Sequence, residues 1–212
     1  MRIPDFTTEQ LRHLANAPRF SSALSIMGSG WIIWEVLRND QKQSMINYRL
    51  LLGMSIYDIF QSLAYFMSSW AVPVGTERAY GAAGTTGTCT AQGFFMQMGV
   101  ATLSYNMFIA LYYFLYVRFD LTKRSLERIE VAMHVLSFLI PFISCVLVLE
   151  DQAFNFAFGM CWISPNPQEC ADNDCKIQRG EHGVFYRTLT GLYMLSCIAL
   201  GSIFSVMMYC SV

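Results

Sequence analysis

The stretch that decides the fold is GFFMQMGVATLSYNMFIALYYFLYV, residues 93–117. It closes a run of 39 consecutive positions, 79–117, that holds no Asp, Glu, Lys or Arg and is bounded by Arg78 and Arg118. At ~1.5 Å rise per residue the apolar part crosses the ~30 Å hydrocarbon core of a bilayer as one helix. Cys89 stands at its head, Gln92, Gln97, Ser104 and Asn106 interrupt its apolar surface, and a basic cluster follows it. That is the pattern of a central membrane helix with neighbours packed around it.

Working outward, four more long apolar runs appear. Residues 20–37 carry Glu35 near their end, with Trp31 and Trp34 placed for an interfacial aromatic belt. Residues 50–72 hold one charge, Asp58, and residues 131–149 hold none but include Pro141, which predicts a kink that neighbouring helices tolerate. Residues 188–212 are uncharged throughout. The expected fold is therefore all-α: a multi-pass transmembrane bundle over 20–212, with spans at about 20–37, 50–72, 89–117, 131–149 and 188–212. A polar tail, 1–19, precedes it.

Composition agrees with this. The 212 residues are 54% hydrophobic and only 14% charged, where soluble chains average about 25% charged. A net charge of −1 gives no basic face for nucleic acid, and none is expected as a partner. Residues 1–19 lack the apolar core of a cleavable signal peptide. Seven Lys and Arg fall in connections 38–49 and 118–128, against three in 73–88 and 150–183 together. The positive-inside rule then puts the first pair in the cytoplasm and the tail outside, Arg2, Arg12 and Arg19 notwithstanding. The expected location is the plasma membrane, with an outer loop at 150–183 and lipid as the immediate surroundings.

Asp58 is the sharpest chemical signal. It lies about ten residues into its span, ~15 Å deep, where a carboxylate costs roughly 2.5–3.5 kcal/mol and must find a partner in the interior. Gln61 and Tyr65 follow on the same helical face. With Asn106, Asp58 and Gln61 are the candidates for an intramembrane polar switch; the plainer alternative is a protonated acid bonded to a neighbouring helix for structure alone. Four cysteines fall on the outer side, Cys89, Cys161, Cys170 and Cys175, and allow three pairings. Cys145, Cys197 and Cys210 lie within spans as packing thiols. Glu130 and His134 sit four apart, as a hydrogen-bonding pair on one helix face and not as a metal site, for which further ligands are missing. The Gly-rich segment 73–88 lacks a GK[ST] ending and reads as a connector. No catalytic constellation emerges, so no enzyme, metal or cofactor is expected.

Several stretches together resemble the seven-helix G-protein-coupled receptors, and within them the cyclic-AMP-receptor-like group. They are SSALSIMGSGWIIWEVL at 21–37, YRLLLGMSIYDIFQSL at 48–63, TCTAQGFFMQMG at 88–99, RIEVAMHVLSFLIP at 128–141 and CWI at 161–163. The resemblance covers residues 20–163 and implies helices one to five of such a receptor. It also implies a Cys89–Cys161 disulfide, an unknown extracellular ligand, and an inner heterotrimeric G protein facing Arg118, Lys123, Arg124 and Arg128. Asp58 takes the role of an interior residue that changes partners on activation, and Cys170–Cys175 remains a candidate second bridge. The D/E-R-Y triplet of rhodopsin-like receptors is absent, Tyr116-Val117-Arg118 ending span three instead. Helices six and seven are missing, so the expectation is a receptor chain cut short. The alternative is a non-signalling five-span protein that associates with a full-length receptor as a receptor oligomer, small residues such as Gly191, Ser196 and Gly201 permitting close approach.

Overall fold

A computed structural model describes residues 7–119, 121, 123–166 and 178–210, with the backbone but not the side chain of Lys123. Five helical segments in it are long and apolar enough to cross a membrane. The first, α1, runs Thr8–Leu37, starting twelve residues ahead of the apolar run. A capping box explains the start: the Gln10 amide N–H donates to Thr7 Oγ1 at 3.3 Å, and the Thr7 N–H donates to Gln10 Oε1 at 2.9 Å. Two of the four orphan N–H groups of the first turn region are thereby satisfied, and polar turns that no apolar stripe demands become helical. Pro18 lies inside α1 without ending it.

A short helix α2, Asp40–Gln43, capped by Asn39, turns the chain into α3, Ile46–Met67. Helices α1 and α3 meet along small side chains: Ser22 and Ser29 on one, Ser55 and Ser62 on the other, all buried. Small residues let two backbones approach closely. Helix α3 ends at Ser68, held at φ 45° and ψ −129°, a conformation that favours glycine. A 3₁₀ turn, Ser68–Ala71, follows.

The third expected span is one helical rod in two pieces, α4 (Thr86–Met98) and α5 (Ala101–Phe119). Between them the hydrogen bonds shorten to i→i−3, from Val100 to Gln97, Thr102 to Gly99 and Leu103 to Val100. The cause is tertiary. A Cβ on Gly99 would overlap the Gln61 side chain of α3, so the chain tightens there and glycine permits the contact. A second close approach occurs at Gly53, where a Cβ would sit 2.8 Å from the Tyr105 ring.

Helix α6, Lys123–Glu150, passes through Pro141, whose ring is buried. Within the segment expected as a plain polar loop, strands β1 (Phe154–Ala157) and β2 (Met160–Ile163) form an antiparallel hairpin. Its two-residue turn puts Phe158 and Gly159 at φ 51° and 91°, the two positive values a tight hairpin needs. The last helix, α7, spans Gly183–Tyr209 and packs along α5, with Gly201 against Met107 and Phe204 stacked on Phe114. Gly191, by contrast, has open space around it.

Three clusters hold the bundle. Ile46, Leu50, Ala101, Tyr105, Leu126 and Met133 join α3, α5 and α6 at one end. Val148, Ala153, Phe154 and Ile163 pack beneath the hairpin at the other, beside Val72 with the two bridged cysteines, Cys89 and Cys161. The N-terminal turns of α1 reach this hairpin end: the Ser68 hydroxyl donates to the Ala15 carbonyl at 2.8 Å, and Leu14 lies beside Gly159.

Candidate functional site

Buried polar groups in an apolar bundle must find partners, and here they form a ladder along its length. At the hairpin end Cys89, on the first turns of α4, is disulfide-bonded to Cys161 of β2 across 72 residues of sequence. One turn further along α4, the fully buried Gln92 donates to the carbonyls of Ala64 (2.9 Å) and Ser68 (2.7 Å). Its Oε1 accepts the Cys161 N–H at 2.8 Å. One amide thus fastens the hairpin to the strained end of α3.

Gln97 works the same way one level lower. Its amide donates to Ser144 Oγ of α6 (2.9 Å) and Thr190 Oγ1 of α7 (3.1 Å), and its Oε1 accepts the Trp162 indole N–H at 3.1 Å. Trp162 neighbours the bridged Cys161, so the hairpin is wired through two glutamines to α3, α4, α6 and α7. Displacing β2 would disturb all four. Sequence reasoning noted both glutamines as amides in a long apolar run but did not foresee their partners, which come from four other elements.

Midway along the bundle Asp58 is half-buried, and its Oδ2 accepts from Ser25 and Ser29 of α1, both at 2.7 Å. Those serines sit four apart on one face, so the carboxylate bridges a single turn of α1. Gln61, one turn before Tyr65 on its own helix, packs on Gly99. Asn106 is exposed on α5, with no hydrogen-bond partner among the described residues. The three residues grouped as a polar switch therefore occupy different surroundings: one against α1, one against the break in the third rod, one facing out. At the same depth Ser104 and the Tyr193 hydroxyl of α7 are 2.6 Å apart.

The far end holds a bidentate ion pair. Arg49 of α3 grips Glu130 of α6 in two bonds, Nε to Oε1 and Nη2 to Oε2, each 2.6 Å. Arg49 also donates to the Gln43 carbonyl at 3.0 Å, and His134 Nε2 lies 3.7 Å from Glu130 Oε1. His134 Nδ1 in turn is 2.9 Å from the Tyr105 hydroxyl. Glu130 and His134 do share a face, as their spacing suggested, but their main partners come from α3 and α5. Arg49 read as a loop cation because it opens its helix next to a polar connection.

Arg118, Arg124 and Arg128 are exposed at this same end. Nearby, the Glu35 carboxylate accepts from Lys42 at 2.6 Å, and this hydrogen bond holds the Lys42 ammonium above its usual range. At the opposite end Asp151 accepts both the His182 N–H (3.0 Å) and its ring Nδ1 (3.1 Å), capping α7 and raising the imidazole above the usual histidine range. Cys145 and Cys197 are buried free thiols, and Cys210 is exposed. Cys170 and Cys175 lie outside the described residues.

No protein-family model matches this chain, and neither does any curated protein.

Proposed function

We propose that the chain is a multi-pass membrane protein of the G-protein-coupled-receptor type, sensing an extracellular ligand at its hairpin end. The observation that carries this reading is the hairpin's double attachment. The Cys89–Cys161 bridge pins β2 to the head of the third rod, while Gln92 and Gln97 link it to four helices. A ligand bearing on the hairpin acts on those helices through two amides, each making three hydrogen bonds in a low-dielectric interior where such bonds are strong. The hairpin end faces outside and Arg118, Lys123, Arg124 and Arg128 face the cytoplasm, in keeping with the distribution of Lys and Arg. There the arginines meet the anionic inner leaflet and a heterotrimeric G protein, and Asp58 with its two serines is the interior pair whose exchange accompanies activation.

A test uses plasma membranes carrying the protein, purified heterotrimeric G protein and a GTP analogue. Nucleotide exchange above that of control membranes, lowered by Arg124→Glu with Arg128→Glu, is the expected result. Exchange unchanged from control, with no G protein retained on the solubilised protein, would refute the coupling.

A second reading, a non-signalling partner of a full-length receptor, is favoured by one feature. Asn106 presents an amide on the outer surface of α5, and a second transmembrane helix would supply its missing hydrogen bond. Mild-detergent co-purification separates the two: a seven-helix receptor recovered in place of G protein supports the partner role.

A further inference from the structure

The break in the α4–α5 rod and the proline of α6 lie at one level of the bundle. Two contacts fix the register of this antiparallel pair. Towards the hairpin end the Cys145 thiol of α6 donates to the Phe94 carbonyl at 3.6 Å; towards the far end the Tyr105 hydroxyl is 2.9 Å from His134 Nδ1. The two contacts are eleven residues apart on both helices, so a step back along the rod matches a step forward along α6. Thr102 precedes Tyr105 by three residues and Ser137 follows His134 by three, which brings them to the same height. Ser137 stands on the face of α6 that also carries Met133, Pro141 and Cys145, all buried.

Three polar groups at this level need partners. Ser137 is fully buried, the Thr102 hydroxyl oxygen is buried, and neither hydroxyl has a hydrogen-bond partner among the described residues. The two are therefore not bonded to each other. The third group is the Ser137 carbonyl, whose i+4 residue is Pro141 and has no N–H to give it. On the rod side the Thr102 N–H turns to the Gly99 carbonyl at 2.9 Å, where the helix tightens. Buried hydroxyls and carbonyls are costly to leave unpaired, and native interiors satisfy nearly all of them. We infer that a bound water bridges the two helix breaks, hydrogen-bonded to the Thr102 hydroxyl, the Ser137 hydroxyl and the Ser137 carbonyl. Three bonds is the usual complement of a buried water. A metal cation suits the set less well. All three groups are uncharged, Glu130 is two turns away and already gripped by Arg49, and neutral oxygens alone do not offset an ion's lost hydration in an apolar interior. Above the water the rod is tied to α6 by Gln97 and Ser144, and below it by Tyr105 and His134. The water thus occupies the joint between two directly bonded halves, where each helix departs from its regular backbone ladder.

Such a water depends on helix packing alone and is independent of G-protein coupling. Its test is a thermal-unfolding cycle on the full chain in detergent, with the parent, Thr102→Val, Ser137→Ala and the double variant. Each single change should lower the melting temperature by about 2–4 °C, because it removes one anchor of the water and weakens the bonds that remain. The double variant should fall by clearly less than the sum, since both changes act on one water molecule. A rise in either single variant is the mark of an unpaired hydroxyl deleted and would overturn the proposal. Strict additivity of two falls would overturn it too. An experimental structure of the parent that shows ordered solvent decides the matter without any variant. Solvent density within hydrogen-bond distance of both hydroxyls and the Ser137 carbonyl is the expected result. A direct bond between the two hydroxyls, or a dry gap between them, is the result that contradicts it.

Discussion

The Arg49–Glu130 pair allows a prediction with a definite size. The Glu130 side chain is 9% exposed and both its oxygens are held by Arg49, whose own side chain is 32% exposed. Replacing Arg49 with Met leaves a nearly buried carboxylate whose remaining neighbour is His134 Nε2 at 3.7 Å, too far for a good hydrogen bond. Breaking a buried pair from one side costs about 3–5 kcal/mol, and the partial exposure of Arg49 argues for the lower end, ~3 kcal/mol. For a chain of this size that is a fall in melting temperature of about 6–12 °C. Removing both charges, Arg49→Met with Glu130→Met, leaves no uncompensated ion and should return to within about 1 kcal/mol of the parent. The assay is thermal unfolding of the four members of the cycle in one detergent at one pH. A double variant as unstable as the sum of the two singles would refute the reasoning, since the cost would then lie in lost packing and not in a stranded charge.

Three further outcomes are expected. Gly53→Ala should destabilise by ~1–3 kcal/mol in the same melting assay, because its Cβ would meet a Tyr105 ring that is itself fixed by His134. Ser68→Gly should relieve ~1–3 kcal/mol of backbone strain and lose ~1 kcal/mol with the hydroxyl bond to Ala15, so its melting temperature should match or exceed the parent's. His182 bears a raised pKa, so its contribution to holding the start of α7 is complete below the usual histidine range and fades as pH rises through the raised value. Protection of the amides at residues 183–187, taken as deuterium uptake corrected for the intrinsic exchange rate at each pH, should fall across that window in the parent and stay level in His182→Ala.

The long apolar segments were legible because charge avoidance is a one-dimensional signal: 79–117 contains no ion, and that alone sets the length and place of the central rod. The start of α1 was equally present in the sequence, as Thr7 and Gln10 at capping-box spacing, but a reading based on apolar runs passes over it. Other features depend on distant partners. The break after Met98 exists because Gln61 of α3 presses on Gly99, which no local pattern around Gly99 announces. The hairpin turn places a phenylalanine at positive φ, where turn statistics look for Asn, Asp or Gly. Arg49 belongs by sequence to a polar connection, and only the juxtaposition of α3 and α6 converts it into the counter-ion of Glu130. Asp58 illustrates both sides: its need for a partner followed from its depth, but the choice of Ser25 and Ser29 did not.

In the proposed arrangement the bundle spans a bilayer with its disulfide-pinned hairpin end outside and its arginines inside. Membrane-impermeant maleimide labelling of single-cysteine reporters in intact cells tests it most directly, with Thr76→Cys at the hairpin end and Arg124→Cys at the basic end. Both are made in a Cys170→Ser, Cys175→Ser, Cys210→Ser background, because Cys210 is an exposed free thiol and Cys170 and Cys175 lie outside the described residues, while Cys145 and Cys197 are buried and Cys89 and Cys161 are bridged. Residue 76 should react in intact cells and residue 124 only after permeabilisation. Labelling of residue 124 in intact cells, or of both positions alike, would contradict it.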